Sequence, residues 1–336
     1  WAGSALDEWL KAPLKPDAYS GIVAAARLGD PVTTRGLIAA VADESNPAIL
    51  KATLLEQLSV FPSRVSIEAA ANYLADDSPL IRIGAVRSLR SAPSQLRWQL
   101  LSPLVEDPVK SVRMEVAISL STMPSDIPLE DIGVFVSLMN EYRMSLSKSI
   151  DMPSTQTSLG NLELNLGDPL KAEQAYKGAL IIEPDYIPAI LNLADLYRST
   201  AREAMAVPLL QRALKVAPDS GAAQFSYGLS LIRRREYDAA IPYLRAATER
   251  QDSQPRYAYV YAVALDSISR TSEALMFLKQ ANKDWPNQYD LLVTEIMYME
   301  KLGSTDGILE LISKLSQIAP GSPEVKRLIG QYVQKN

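Results

Sequence analysis

Adjacent carboxylates at Asp43-Glu44, Asp76-Asp77 and Glu106-Asp107 are the residues best placed by type and spacing to do chemistry. In a hydrolase such a pair would divide general-acid and general-base work, one carboxyl giving a proton while its neighbour takes one. A second set, Lys51, Arg82 and Arg113, recurs at 31-residue intervals and could be read as a ladder for anions. Neither set has the usual supporting cast. The 336 residues include no histidine and no cysteine, which removes Cys/His zinc sites, thiol nucleophiles, histidine-based triads and haem attachment through C-x-x-C-H within this chain. No G-x-x-x-x-G-K-[ST], G-x-G-x-x-G or G-x-S-x-G occurs. Each acidic pair lies just ahead of a helix start, where carboxylates satisfy free N–H groups and face the positive end of the helix dipole. A structural role is the expectation for all three, and the chain carries no candidate catalytic, cofactor-binding or metal-ligating residue.

The elements that hold these residues are helical. Hydrophobic residues make up 47% of the chain and charged residues 22%, with alanine and leucine dominant among the apolar types. These side chains lose little entropy in a helix. Pro184, Pro218, Pro286 and Pro320 are separated by 34, 68 and 34 residues, and Asp252 holds the skipped slot. Ala172, Ala206, Ala240 and Ala274 keep the same interval, as do Ala179, Ala213, Ala247 and Ala281, and Gly160, Ala194, Gly228 and Ala262. Small residues belong where two helices cross closely, and proline closes the second helix because it lacks the N–H that would continue it. Each unit thus predicts two antiparallel amphipathic helices. The pattern resembles the tetratricopeptide repeat, with five repeats beginning at Pro153, Ile187, Gly221, Pro255 and Tyr289. The fifth carries Ile296, Ile308 and Leu315 in the small slots, and a last helix from Pro323 to about Gln334 is expected to cap the array.

The other half has a period of 31: Pro62, Pro93 and Pro124, and Leu58, Leu89 and Leu120, accompany the basic column. Asn46-Pro47, Ser78-Pro79 and Asp107-Pro108 read as N-capping side chains followed by proline at the first helical position. Segments such as Asp77–Leu89 and Asp107–Leu120 resemble HEAT repeats. Three helix pairs are expected between Pro31 and Thr122, after a helix near residues 17–28. In HEAT-like arrays the basic column meets the acid of the adjacent repeat, which is the role the resemblance implies for Lys51, Arg82 and Arg113. The expected fold class is all-α, an α–α superhelix (solenoid) of HEAT-like repeats followed by tetratricopeptide repeats. Its divisions are residues 1–30, N-terminal helices continuing an upstream region; 31–126, the HEAT-like array; 127–152, a bridging helix and a flexible joint at Ser145–Thr157; and 153–336, the tetratricopeptide array with its cap. Pro208 and Pro242, 34 residues apart, are expected near the first turns of their helices.

The tetratricopeptide resemblance implies a binding groove on the concave face, lined by the second, fifth, ninth and twelfth positions of each first helix. The fifth column is Thr157, Leu191, Phe225, Tyr259 and Val293; the ninth is Asn161, Asp195, Leu229, Val263 and Met297; the twelfth is Leu164, Arg198, Ile232, Asp266 and Glu300. The groove is expected to be apolar and aromatic at its centre and polar toward its ends. A clamp for a C-terminal carboxylate would need lysine in the fifth column and asparagine in the ninth, and only Asn161 complies. The implied ligand is a protein or peptide segment, or the protein's own upstream domain. Nucleic acid is not an expected partner: net charge is −5, residues 1–152 hold 14 basic against 18 acidic groups, and residues 153–336 hold 20 against 21. The run Arg233-Arg234-Arg235 reads as a solvated helix end.

No apolar stretch approaches the roughly 18 residues that span a bilayer. Residues 1–15 lack the pattern of a signal peptide, and Trp1–Leu10 reads as the inside of an amphipathic helix, so a processed product or fragment is expected. Without cysteine the redox compartment is open between cytosol and periplasm. The phrases Pro188–Arg198 and Pro255–Leu265, together with the opening Trp1-Ala and Glu8-Trp9, resemble the C-terminal region of bacterial multihaem c-type cytochromes that carry such repeats. The resemblance implies haem c only in an upstream region, and a periplasmic or cell-envelope location. The alternative is an adaptor for complex assembly with no redox link, cytoplasmic or otherwise. Both readings describe a non-catalytic scaffold.

Overall fold

A computed structural model describes residues 33–60, 63–319 and 321–333. The helix expected near residues 17–28, the opening Trp1–Leu10 and the prolines at 31, 62 and 320 lie outside the described residues. Among those described there are eighteen α-helices and no strand. The chain divides into two compact units, 1–135 and 136–336.

The first unit contains three helix pairs: α1 (Thr33–Ala42) with α2 (Ala48–Gln57), α3 (Arg64–Ala71) with α4 (Pro79–Ser88), and α5 (Ser94–Leu101) with α6 (Lys110–Ser121). The 31-residue apolar column closes its core, with Leu58, Leu89 and Leu120 all at most 1% exposed. Gly84 is dictated by proximity, because a Cβ there would lie 2.6 Å from the carbonyl oxygen of Ala52 on α2. Arg82 spans repeats. Its Nε and Nη2 donate to the two carboxylate oxygens of Asp107 at 2.8 and 2.9 Å, and its Nη1 donates to the Asp76 and Asp77 carbonyls. Arg113 repeats half of this pattern by donating to the Asp107 carbonyl at 2.6 Å. A second ion ladder has no counterpart in the expected columns: Arg87 reaches Glu56 on α2 and Glu115 on α6, and Arg90 also pairs with Glu115. Buried and bidentate, the Arg82–Asp107 pair sets register, since removing one partner would strand the other charge in the interior.

The caps differ from expectation. Only Ser78-Pro79 puts proline at the first helical position, and the Ser78 side chain caps nothing. Asn46 instead donates to the Ala40 carbonyl, while α2 and α6 start after Pro47 and Val109. The acidic pairs do tie down the turns, one step earlier: Asp43, Asp76 and Asp107 accept from the N–H two residues on, at Ser45, Ser78 and Val109. An aspartate side chain mimics a backbone turn in this way more readily than it reaches the third helical N–H.

Helix α7 (Ile132–Ser147) contains the division between the units. The region expected to be a joint is mostly helical, because Ser145–Ser147 end α7 and Pro153–Thr157 begin the next helix. The second unit then runs α8 (Pro153–Asn165), α9 (Pro169–Ile182), α10 (Ile187–Ser199), α11 (Glu203–Val216), α12 (Gly221–Arg233), α13 (Tyr237–Thr248), α14 (Pro255–Ser267), α15 (Thr271–Asp284), α16 (Tyr289–Lys301), α17 (Ile308–Ile318) and α18 (Pro323–Tyr332). The first helices begin at 153, 187, 221, 255 and 289, on the 34-residue register.

The alanines of the small columns are all 2% exposed or less. A Cβ on Gly160 would meet the Tyr176 ring at 2.3 Å, and one on Gly228 would meet Leu244 at 2.7 Å. Ile296, Ile308 and Leu315 are equally buried in the fifth pair. There α17 starts three residues later than the register, after a left-handed Gly307. Pro208 and Pro242 sit six residues into α11 and α13, which continue through them. Asp252, in the slot that proline holds elsewhere, is explained by a neighbour. Its carboxylate accepts from the N–H groups of Gly221 and Ala222 at 2.8 and 3.2 Å, capping α12 from thirty-one residues away. Gly221 has no room for a side chain because that carboxylate occupies the space.

Every turn inside a repeat has one geometry. Gly167, Ala201, Arg235, Ser269 and Gly303 are all left-handed, with φ from 57° to 83°. The following N–H in each case bonds back five residues, for example Arg202 to the Tyr197 carbonyl at 2.7 Å. This closes the helix end with a Schellman-type bond. A left-handed non-glycine residue costs about 1 kcal/mol through its Cβ. Ala201→Gly, Arg235→Gly and Ser269→Gly are each expected to stabilise the second unit by about 1 kcal/mol in chemical denaturation; unchanged midpoints would contradict this account of the turn.

The first and second repeats of this array are also joined by charge. Glu173 accepts from Lys177 at 2.7 Å, Arg202 at 2.7 Å and Tyr197 at 3.0 Å. Hydrogen bonds from Lys177, then Arg202 and Tyr197, hold its carboxyl at about 2, below the ordinary 4.5. A depressed native pKa contributes stability that is complete above about 4.5 and fades as pH falls toward 2. Wild type should therefore melt above Glu173→Gln at neutral pH, with the gap closing through that acid window; a gap independent of pH would exclude the network as its cause.

Candidate functional site

The small residues that let first and second helices cross closely also leave the opposite faces of α10, α12 and α14 side by side. Between them lies a cleft of about 520 Å³. Of the residues expected to line a groove, Leu191, Asp195, Arg198, Phe225 and Leu229 meet in it. Tyr259 lies in an adjoining depression of about 400 Å³ with Tyr289 and Leu291, and the two share Gln254 and Arg256. Asn161, Ile232, Val263, Asp266, Val293 and Met297 line neither.

Several of those six are occupied in place. Asn161 accepts from the Tyr176 hydroxyl at 2.7 Å and from the Asn192 amide at 2.9 Å. Burial pushes that tyrosine up to about 12, so it stays a neutral donor. Asp266 accepts from Lys301 and from the Thr271 hydroxyl, both at 2.5 Å. Ile232 and Val293 are half-buried against the core, Val263 is half-buried, and Met297 is 49% exposed.

The expected apolar, aromatic centre is not what the geometry produces. Phe225 is only 6% exposed and forms the floor of the cleft. Its ring stacks on Tyr257 with centroids 4.4 Å apart, and the Arg256 guanidinium lies over it at 5.5 Å. A cation drawn to the ring face converts an aromatic surface into a charged one. Leu191 and Leu229 are half-buried beside it, and the rim is polar: Asn192, Ser226, Gln254 and three arginines. Arg198 donates to Asp195, one turn earlier on α10, at 2.7 Å, a hydrogen bond that raises the guanidinium's already high pKa. Arg233 reaches Glu203 at 3.2 Å. The basic run at Arg233-Arg234-Arg235 is therefore not uniformly a solvated end. Arg233 faces the cleft, Arg234 pairs with Glu236, and Arg235 makes the left-handed turn.

Arg233 and Gln254 lie outside the groove columns, and Arg256 lies in the second column without having been singled out. Arg256 stands at the second position of its helix, where the other repeats have Ser154, Pro188, Ala222 and Asp290, so that column alone carried the signal. Gln254 precedes its helix and belongs to no column. Among the described residues no group of three or more acidic side chains is placed to hold a metal ion, and no helix is long and apolar enough to cross a membrane.

Residues 189–308 match the profile of the tetratricopeptide repeat family. A stretch of 107 residues, 32% of this chain and 10% of the other protein, is 32% identical to the CTR9 homolog protein of Arabidopsis thaliana. The chain thus spans about a tenth of the length of that relative. Similar solved structures include YrrB, described as a TPR protein with an unusual peptide-binding site, at 16% identity and a TM-score of 0.42, covering 58% of this chain and 97% of that one. Another is MamA from Desulfovibrio magneticus RS-1, at 16% identity and a TM-score of 0.43, covering 51% of this chain and 97% of its own. The 34-residue register and the family match agree: residues 189–308 are a tetratricopeptide-repeat region.

Proposed function

We propose that the chain is a non-catalytic binding scaffold whose second unit holds a protein segment in the cleft of α10, α12 and α14. The observation that carries this reading is that side chains from three successive repeats converge on one surface, from Leu191, Asp195 and Arg198 through Phe225, Leu229 and Arg233 to Arg256. Repetition makes a surface longer than any single helix pair could offer, which suits an extended ligand. The first unit, read as HEAT-like for its 31-residue helix pairs and its Arg82–Asp107 lock, serves as a second helical support.

The finer reading is the interaction region of a multihaem c-type cytochrome, working in the cell envelope. It rests on the resemblance of Pro188–Arg198, Pro255–Leu265 and the Trp1-Ala opening to that family, and in it the scaffold docks the haem domain or a redox partner. An adaptor without a redox link is the competing reading. The gene decides between them: C-x-x-C-H motifs encoded upstream are expected, and an upstream region without them would leave the adaptor.

Because the chain has no cysteine, a single introduced thiol can carry a photo-crosslinker without interference. Ser226→Cys in the cleft should capture a discrete partner in the native cell, whereas Gln280→Cys on the outer face of α15 should not. Equal capture at both positions, from folded variants, would count against the cleft as the binding surface.

A further inference from the structure

Three guanidinium groups border the cleft, and they are not equivalent. Arg198 is engaged by Asp195 from its own helix, and Arg233 is shared with Glu203 of the preceding repeat. Among the described residues no carboxylate lies within ion-pairing distance of Arg256. Its head group is instead held against the Phe225 ring, which is itself fixed by stacking on Tyr257. Stacking leaves the guanidinium edge free, and that edge carries the N–H fork that matches a carboxylate. Holding the group in place before binding also lowers the entropy lost when a ligand arrives.

From this we propose that the cleft takes an acidic peptide segment, with a side-chain carboxylate seated on the edge of Arg256. The proposal deepens the binding-scaffold reading and depends on it. Charge complementarity selects the ligand class: Arg198, Arg233 and Arg256 face the cleft against Asp195 alone. Nucleic acid is a poor match, because the chain as a whole carries net charge −5 and would repel a phosphate backbone outside this one cleft. The adjoining depression explains why the ligand is a peptide rather than a small anion. It begins at the same Gln254 and Arg256 and continues past Tyr259, Tyr289 and Leu291, giving an apolar side chain a place beside the carboxylate. Asp290, which lines the same depression, disfavours a second acid there, so the favoured segment pairs one acidic residue with an apolar neighbour. Arginines at these positions do the work that the lysine and asparagine columns, of which only Asn161 is present here, would do in a terminal-carboxylate clamp.

A displayed library of random peptides, selected on the immobilised full chain and on its Arg256→Glu variant, tests this. Wild type should enrich peptides with Asp or Glu next to an apolar residue, and Arg256→Glu should lose that enrichment. A synthetic, amidated peptide of the enriched sequence should then bind Arg256→Gln about tenfold more weakly than wild type in fluorescence anisotropy, and Arg245→Gln on the outer helix α13 equally well. Replacing its acid by the matching amide should weaken it by a similar factor. Enrichment of apolar peptides without acids would overturn the proposal and leave the groove reading standing. Acidic enrichment that survives Arg256→Glu would overturn the assignment to this cleft. No enrichment from a folded chain would overturn both.

Discussion

Close approach of helix backbones is the constraint on which the second unit depends. At Gly160 and Gly228 the space for a single methyl group is already taken by Tyr176 and Leu244, and the alanine columns are sealed from solvent. Large side chains at these crossings would separate the helices, and interiors packed as densely as crystals relax little. The position of the cleft follows from that distance. With second helices pressed against first helices on one side, the faces of α10, α12 and α14 are left adjacent on the other. The fifth pair shows how far the rule bends: isoleucine and leucine replace the small residues, and α17 begins three residues late behind Gly307.

Distance alone would permit sliding, and polar contacts prevent it. Each repeat ends its first helix on a left-handed residue at the same position, and in the first four the second helix then begins at the same place on the register. Within the third repeat, Asp252 caps α12 from its far end, and between the first and second repeats Glu173 gathers Lys177, Tyr197 and Arg202. The first unit uses buried charge for the same purpose, with Asp107 answering Arg82 across two pairs. Such bonds add modest net stability but penalise every wrong register, since each slip would leave a buried charge or N–H unpaired.

The cleft is a by-product of this stacking that has acquired its own chemistry. Phe225 would be an apolar anchor if it were exposed. Sunk into the floor and covered by Arg256, it becomes the support for a charge. The cleft is therefore polar above the Phe225–Tyr257 stack, and the surface turns apolar where Tyr259, Tyr289 and Leu291 open beside it.

Much of the architecture was legible in the residues alone. Small side chains at 34-residue intervals and leucines at 31 are local signals of helix crossing, and helices begin at Pro153, Ile187, Gly221, Pro255 and Tyr289, where that register puts them. The left-handed turns were not legible, because alanine, arginine and serine share those positions with glycine and bear no common mark. Nor were the caps: Asn46 and Ser78 have the right side chains but are drawn to other partners or to none. The site divides in the same way. Sequence determined which residues share a helix face, since that depends only on periodicity. Tertiary structure decided which of them remain within reach of a ligand. Asn161 and Asp266 were claimed by Tyr176 and Lys301 from other helices, Phe225 was covered, and Arg233, Gln254 and Arg256 were brought in. Exposure and pairing are set by neighbours distant in the chain, and no pattern along one helix records them.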